Sequence, residues 1–258
     1  MTKLINKVAL ITGASSGIGR ATALAFAREG AKLVVASRRI KEGEETAQLV
    51  RDAGGEALFV QTNVAKASEV QNLVEKTVQL YGSLDIAFNN AGVEGPITTL
   101  IEQTEEDFDD IININLKGMY LSMKHEILQM LKQGNGTIVN TSSISGLVGM
   151  PASAIYAASK HGVLGLTKSA ALEYGEFGIR INAVSPAAID TPMLHRFLKN
   201  NPFLGSPEES QELFKKKHPL GRIGQPEEVA EAVVWLCSDG ASFITGQSLA
   251  IDGGYTVP

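Results

Sequence analysis

The stretch Val8-Ala9-Leu10-Ile11-Thr12-Gly13-Ala14-Ser15-Ser16-Gly17-Ile18-Gly19 decides how the rest of the chain is read. A short apolar run, Val8 to Ile11, ending at a glycine turn fits a strand buried on both faces, as in a parallel sheet. The glycines then turn the chain into a helix that runs to about Glu29. Strand, glycine turn and helix N-terminus together make an anion site. The glycines let backbone N–H groups approach a pyrophosphate, and the helix dipole favours its charge. The spacing is G-x-x-x-G-x-G, which departs from the common G-x-G-x-x-G dinucleotide fingerprint. Taken alone, the same stretch could be a glycine turn with no ligand.

Working outward, a second strand over Lys32 to Ala36 ends at Ser37-Arg38-Arg39. In dinucleotide-binding folds an acidic residue at this place receives the ribose hydroxyls of NAD. Here there is no acid, and a guanidinium fork suits a 2′-phosphate, so the local chemistry points to NADP, with Arg38 leading and Arg39 assisting. The pattern then repeats: helix Lys41–Ala53, strand Ala57–Val60 with Asn63-Val64 after it, helix Ser68–Tyr81, and strand Leu84–Phe88 ending in Asn89-Asn90-Ala91-Gly92. Strands alternating with helices predict βαβ units and a doubly wound parallel sheet. Ligands in such sheets sit at the carboxyl ends of the strands, where Gly13, Arg38, Asn63 and Asn89 all fall.

The second half continues the alternation. A helix from about Glu105 to Leu131 holds Asn113-Ile-Asn115-Leu-Lys-Gly118, and Asn and Gly inside a helix mark a candidate kink. Strand Thr137–Asn140 ends in Thr141-Ser142-Ser143. A long Pro-free helix over residues 153 to 176 follows, then strand Arg180–Val184 with Ser185-Pro186 at its end. Helix Glu227–Cys237 and strand Ser248–Ile251 close the chain, giving about seven strands in one Rossmann-type α/β domain over residues 1–258, with helices on both faces. In the long helix Tyr156 and Lys160 stand four apart, which puts phenol and ammonium on one face. A cation near a phenol lowers its pKa toward a working range for acid–base chemistry.

Composition sets bounds. The chain has 258 residues, 44% of them hydrophobic and 20% charged, with net charge −5. No basic patch indicates nucleic acid. The single cysteine, Cys237, excludes an intramolecular disulfide and reads as a buried structural thiol. His125, His161, His195 and His218 have no zinc-site spacing, so no metal is expected. The run Val8–Ile11 is too short and too near Met1 for a secretory signal, and no apolar stretch reaches the length of a membrane span. The expectation is a cytoplasmic protein acting on a small molecule.

At this point the sequence resembles the short-chain dehydrogenase/reductase family over essentially its whole length. The matching pieces are Thr12 to Gly19, Asn89-Asn-Ala-Gly92, Asn115, Ser143, Tyr156-x-x-x-Lys160, Pro186 through Thr191, and Asp252-Gly-Gly254. The family's catalytic Ser lies thirteen positions before the Tyr, which selects Ser143 over Ser142. The resemblance implies an NADP(H)-dependent oxidoreductase that interconverts a carbonyl and an alcohol. In it Tyr156 exchanges a proton with the substrate oxygen, Ser143 hydrogen-bonds that oxygen, and Lys160 holds the nicotinamide ribose and lowers the Tyr156 pKa. Asn115 links Lys160 to solvent through a water. The implied nucleotide contacts are Gly13, Ser15, Ser16, Gly17, Ile18 and Gly19; Ser37, Arg38 and Arg39; Asn63 and Val64; Asn90, Ala91 and Gly92; Tyr156 and Lys160; and Pro186, Ala187, Ile189 and Thr191. Ala187 stands where the family usually has Gly, which would strain the backbone if that position needs a positive φ.

Residues 192–219, with Met193, Phe197, Leu198, Phe203 and Leu204, read as an irregular lid over the substrate. Met193 and Phe197 would meet the substrate from one side, and Glu94, Val148 and Met150 from the other, beside Ser143 and Tyr156. The run Lys215-Lys216-Lys217 reads as a solvated face. The family commonly forms tetramers, and the small residues Ala154, Ala158, Gly162, Gly165 and Ser169 of the Tyr156 helix would let a partner backbone come close. Two rivals remain: a nucleotide-binding sensor without turnover, and an epimerase or dehydratase of the related extended group.

Overall fold

The structure, a computed structural model, describes residues 2–201, 203 and 205–257. Its centre is a parallel sheet of β1 (Val8–Thr12), β2 (Lys32–Ser37), β3 (Glu56–Gln61), β4 (Ile86–Asn89), β5 (Gly136–Thr141), β6 (Ile179–Pro186) and β7 (Ser248–Ile251). The spatial order is β3-β2-β1-β4-β5-β6-β7, and every neighbouring pair is parallel. Between them run α1 (Gly17–Arg28), α2 (Ile40–Asp52), α3 (Ala67–Tyr81), α4 (Glu105–Ile112), α5 (Gly118–Gln133), α6 (Ala154–Tyr174), α7 (Pro192–Asn200), α8 (Pro207–Lys217) and α9 (Pro226–Cys237). This is the Rossmann-type doubly wound architecture.

The strands read as unbroken apolar runs because both faces of the sheet are covered. On β1, Ala9 and Ile11 join one core with Phe26 of α1 and Val229 and Val233 of α9. Leu10, between them, joins the other core with Leu73 of α3, Met123 and Ile127 of α5 and Val163 of α6. Successive strand side chains point to opposite faces, so one strand feeds two cores. The chain reverses direction across the sheet between β1 and β4, and the crevice that this opens lies at the carboxyl ends of the strands.

Two segments differ from the sequence expectation. The candidate kink near Asn115 is a π-helical turn, Asn113–Lys117, inserted between α4 and α5. Such turns are single wide loops of helix, often found at functional sites. The lid segment is regular: α7 and α8 occupy most of it. Pro192 and Pro207 stand in the first turn, where a missing N–H costs nothing. Thr191 Oγ1 accepts from Leu194 N at 3.3 Å. Ser206 and Glu209 cap one another reciprocally at the start of α8. Leu204, assigned to the lid, lies outside the described residues.

Candidate active site

The glycine turn joins β1 to α1 under tight steric limits. Gly13 has φ +66°, and a Cβ there would stand 2.8 Å from the Ala91 backbone. A Cβ on Gly19 would stand 2.4 Å from Gly13 O. Only glycines allow this approach between turn, helix and the β4 end. Thr12 and Asn90 lock it: Thr12 Oγ1 accepts from Asn90 N (3.1 Å) and Ala91 N (3.3 Å), and Asn90 Nδ2 donates to Gly13 O (3.2 Å). The N-cap of α1, Ser16, makes no side-chain capping bond, and its first turn carries no acid. The helix therefore presents uncapped N–H groups to the cavity beside it, which fits the pyrophosphate of a dinucleotide.

Arg39, rather than Arg38, is the residue tied to this turn. Its Nη2 donates to Ser15 Oγ at 2.8 Å and to Ser16 Oγ at 2.9 Å. Ser37 is buried, with its Oγ donating to Arg39 O at 2.8 Å. Among the described residues near the β2 end, two guanidiniums and no carboxylate line the cavity, a donor set that suits a 2′-phosphate.

The cavity has a volume of about 470 Å³ and runs from the glycine turn to α7. It is lined by Ser143, Tyr156 and Lys160, by Asn63 and Val64, and by Pro186, Ala187, Ile189 and Thr191. From the expected substrate wall it includes Glu94, Met150, Met193 and Phe197. Three expected residues are not on the lining. Gly19 lies behind Gly13. Val148 is 37% exposed, because its N–H closes the short turn after Ser143 by donating to Ile144 O (2.9 Å) and leaves the side chain at the surface. Asn115 is buried behind Val93: its Oδ1 accepts from Val93 N (2.8 Å), while its Nδ2 donates to Val93 O (2.9 Å) and to Ser159 Oγ (3.2 Å). Arg196, Phe214, Val93 and Ile144 line the cavity without having been singled out. Arg196 shares a helix face with Met193, three residues away, so recognising α7 would have found it.

The launch of α6 brings Tyr156 and Lys160 to the β5 end. Ser142 Oγ donates to Lys160 O at 2.9 Å, and Lys160 Nζ donates to Thr141 O at 2.9 Å. Nζ lies 5.6 Å from the centre of the Tyr156 ring. Burial dominates both groups. It pushes the Tyr156 phenol up to about 12, with Ser143 opposing the rise and the Glu94 charge adding to it. It brings the Lys160 ammonium down to about 8. Desolvation is the largest influence on the Tyr156 phenol, and Lys160 is not among the groups that shift it. A neutral phenol is a proton donor.

Ala187 carries no strain. Among the described residues, positive φ outside glycine is confined to Asn6 and Ala152, and Ala187 N donates to Ile251 O at 3.2 Å. No cluster of His, Cys, Asp or Glu among the described residues could hold a metal ion, and no helix is long and apolar enough to cross a membrane.

Comparisons with known proteins agree with this architecture. A family profile described as enoyl-(acyl carrier protein) reductase matches residues 13–256. A cyclohexanol dehydrogenase of Acinetobacter sp. (strain SE19) is 44% identical over 254 residues, covering 98% of this chain and 96% of that protein. The crystal structure of levodione reductase superposes with a TM-score of 0.95 at 38% identity, covering 98% of both chains. An actinorhodin polyketide ketoreductase variant crystallised with NADPH superposes with a TM-score of 0.94 at 37% identity, again over 98% of both chains. Fold, motifs and relatives converge: the chain belongs to the short-chain dehydrogenase/reductase family of oxidoreductases.

Proposed function

We propose that the protein is an NADP(H)-dependent oxidoreductase that interconverts a ketone and a secondary alcohol, acting on compact, cyclic carbonyl compounds. The observation that carries this reading is a single cavity with the uncapped start of α1 at one end and Tyr156, Ser143 and Lys160 along its wall. Relatives named for cyclohexanol and levodione support the choice of substrate class.

In this reading the glycine turn and the first N–H groups of α1 hold the pyrophosphate. Arg39, with Arg38 beside it, meets the 2′-phosphate. The bound cofactor supplies the hydride. Ser143 donates a hydrogen bond to the substrate oxygen, and Tyr156 gives that oxygen its proton. Lys160 holds the ribose hydroxyls, and Asn115 fixes the segment at Val93 past which a proton relay to solvent would run. Preorganised donors aimed at the oxygen, together with acid catalysis, are what the protein must add to the cofactor's own chemistry.

The test is NADPH and NADH oxidation with cyclohexanone and open-chain ketones. One charge-assisted contact to the phosphate, about 1.5–3 kcal/mol, predicts a ten- to hundredfold preference for NADPH in kcat/KM. Arg39→Ala should raise KM for NADPH more than Arg38→Ala does. A higher kcat/KM with NADH would overturn the cofactor assignment, and no turnover of any ketone would overturn the reaction. The assembly is read as a homotetramer of one-domain subunits. Exposed Phe108, Tyr120 and Leu172, with Ala158, Gly165 and Ser169 also exposed on α6, support a contact face there. Gly162 serves its own chain instead, since a Cβ there would meet Leu116 at 2.8 Å. A monomer by light scattering at micromolar concentration would refute the tetramer.

A further inference from the structure

The substrate end of the cavity contains one ion pair that the proposed chemistry does not use. Glu94 follows β4, and Arg196 stands on α7, 102 residues later. Arg196 Nε donates to Glu94 Oε1 at 2.8 Å, and its Nη2 donates to Glu94 Oε2 at 3.2 Å, a fork-to-fork arrangement. Both side chains line the cavity, with the Glu94 side chain 22% and the Arg196 side chain 52% exposed. The lining around them is apolar: Val93, Ile144, Met150, Met193, Phe197 and Phe214, the last two in edge-to-face contact at 5.9 Å.

The pair bridges two bodies that pack separately. Leu194 and Leu198 of α7 sit with Phe214 of α8, Ala188 and Ile223 in a cluster distinct from the two cores of the sheet. The other described side-chain bond from α7 stays within its own stretch, His195 Nε2 to Asp190 Oδ1 at 2.7 Å. A half-exposed ion pair adds little to global stability. Its consequence lies in recognition, because charges at a binding site act on specificity more than on raw affinity.

We propose that the Glu94–Arg196 pair is the specificity element of the substrate site: it ties α7 across the mouth of the cavity and, by keeping the guanidinium matched to a carboxylate, restricts the site to uncharged carbonyls and alcohols. A substrate carrying a carboxylate meets a cation that is already satisfied and an acid that repels it. Unpaired, the same guanidinium is a ready bidentate donor to that carboxylate. Discrimination by a repelling charge is as effective as discrimination by attraction. The inference rests on the ketone-reducing reading of the same cavity, in which the Glu94 charge also acts on the Tyr156 phenol.

The test compares kcat/KM for cyclohexanone and for 4-oxocyclohexanecarboxylate in the unmodified enzyme, Glu94→Gln, and the double variant Glu94→Gln with Arg196→Met. The unmodified enzyme should favour the neutral ketone by at least about tenfold, and Glu94→Gln should move the ratio toward the anion by about tenfold or more. The double variant should lose that gain, which assigns it to the guanidinium. Equal use of both ketones by the unmodified enzyme, an unchanged ratio in Glu94→Gln, or a gain that survives in the double variant would each overturn the proposal. If none of the three proteins reduces either ketone, the functional reading fails, and calorimetric binding of cyclohexanecarboxylate decides this one separately. Binding tightened about tenfold or more by Glu94→Gln and lost in the double variant supports it, and equal binding to all three overturns it.

Discussion

Replacing Lys160 by Met should make the protein more stable while removing its activity. Lys160 is 3% exposed, and burial brings its ammonium from an ordinary value of 10.5 to about 8. At ~1.4 kcal/mol per pH unit, that difference corresponds to about 3 kcal/mol against the folded state at pH 7, where the buried group is charged. The variant loses the hydrogen bond from Nζ to Thr141 O, a contribution of about 1 kcal/mol. The methionine fills nearly the same space without a charge, so the net gain is about 2 kcal/mol, or roughly 4–8 °C in Tm for a protein of this size. The sign follows from which form burial penalises. The ammonium is the disfavoured form, so the penalty is complete below pH 8, falls between pH 8 and 10.5, and is gone above. The advantage of Lys160→Met should therefore shrink across that window. Urea unfolding of both proteins without added nucleotide, at pH 7 and at pH 10.5, reads this directly. A variant less stable at pH 7, or one whose advantage is the same at both pH values, refutes the reasoning.

Three further outcomes are expected. Tyr156→Phe should keep nucleotide binding, followed by NADPH fluorescence, while kcat falls at least ~10²-fold, the usual worth of acid–base catalysis. Gly19→Ala places a Cβ 2.4 Å from Gly13 O, so the turn must shift, and NADPH affinity in the same titration should fall by about tenfold or more. Glu126 is buried at 1% exposure, accepts from Asn89 Nδ2 at 2.8 Å, and is pushed up to about 7 by burial from an ordinary 4.5. The unfolded chain therefore ionises first, wild-type stability is lost as pH rises from 4.5 to 7, and Glu126→Gln should gain about 3 kcal/mol over wild type between pH 4.5 and pH 8 in urea unfolding.

Much of the architecture was legible because the relevant signals are local. The apolar runs of β1 and β2, the glycine turn at Gly13 and the strand-end polar residues each lie within a few positions of one another. The two helices after residue 191 were not legible, because a proline marks the start of a helix as readily as the end of one. Pro192 and Pro207 each stand in the first turn of a helix, with Thr191 or Ser206 capping it, and the alternation of buried Leu194 and Leu198 with exposed His195 and Lys199 has helical period. That Arg39 rather than Arg38 is tied to the glycine turn was not legible either. It depends on which guanidinium the backbone turns toward Ser15 and Ser16, and that direction is decided by how the chain leaves β2 for α2.

The residues that stood out from the sequence are those that break a local rule. Lys160 places a charge on the buried face of a helix, the Asn113–Gly118 run weakens the helix it interrupts, and Gly13 and Gly19 forgo side chains where strand meets helix. Each break costs stability and is kept only where function requires it, so each is visible in a single chain. Glu94 and Arg196 break nothing. A carboxylate on a connecting segment and an arginine on an amphipathic helix are what surfaces ordinarily carry, and only the fold brings them together across the cavity. Catalytic machinery of this kind can thus be read from residues that are wrong for their local setting. Substrate selection by such a pair uses residues that are right for theirs and is decided by contacts between distant parts of the chain.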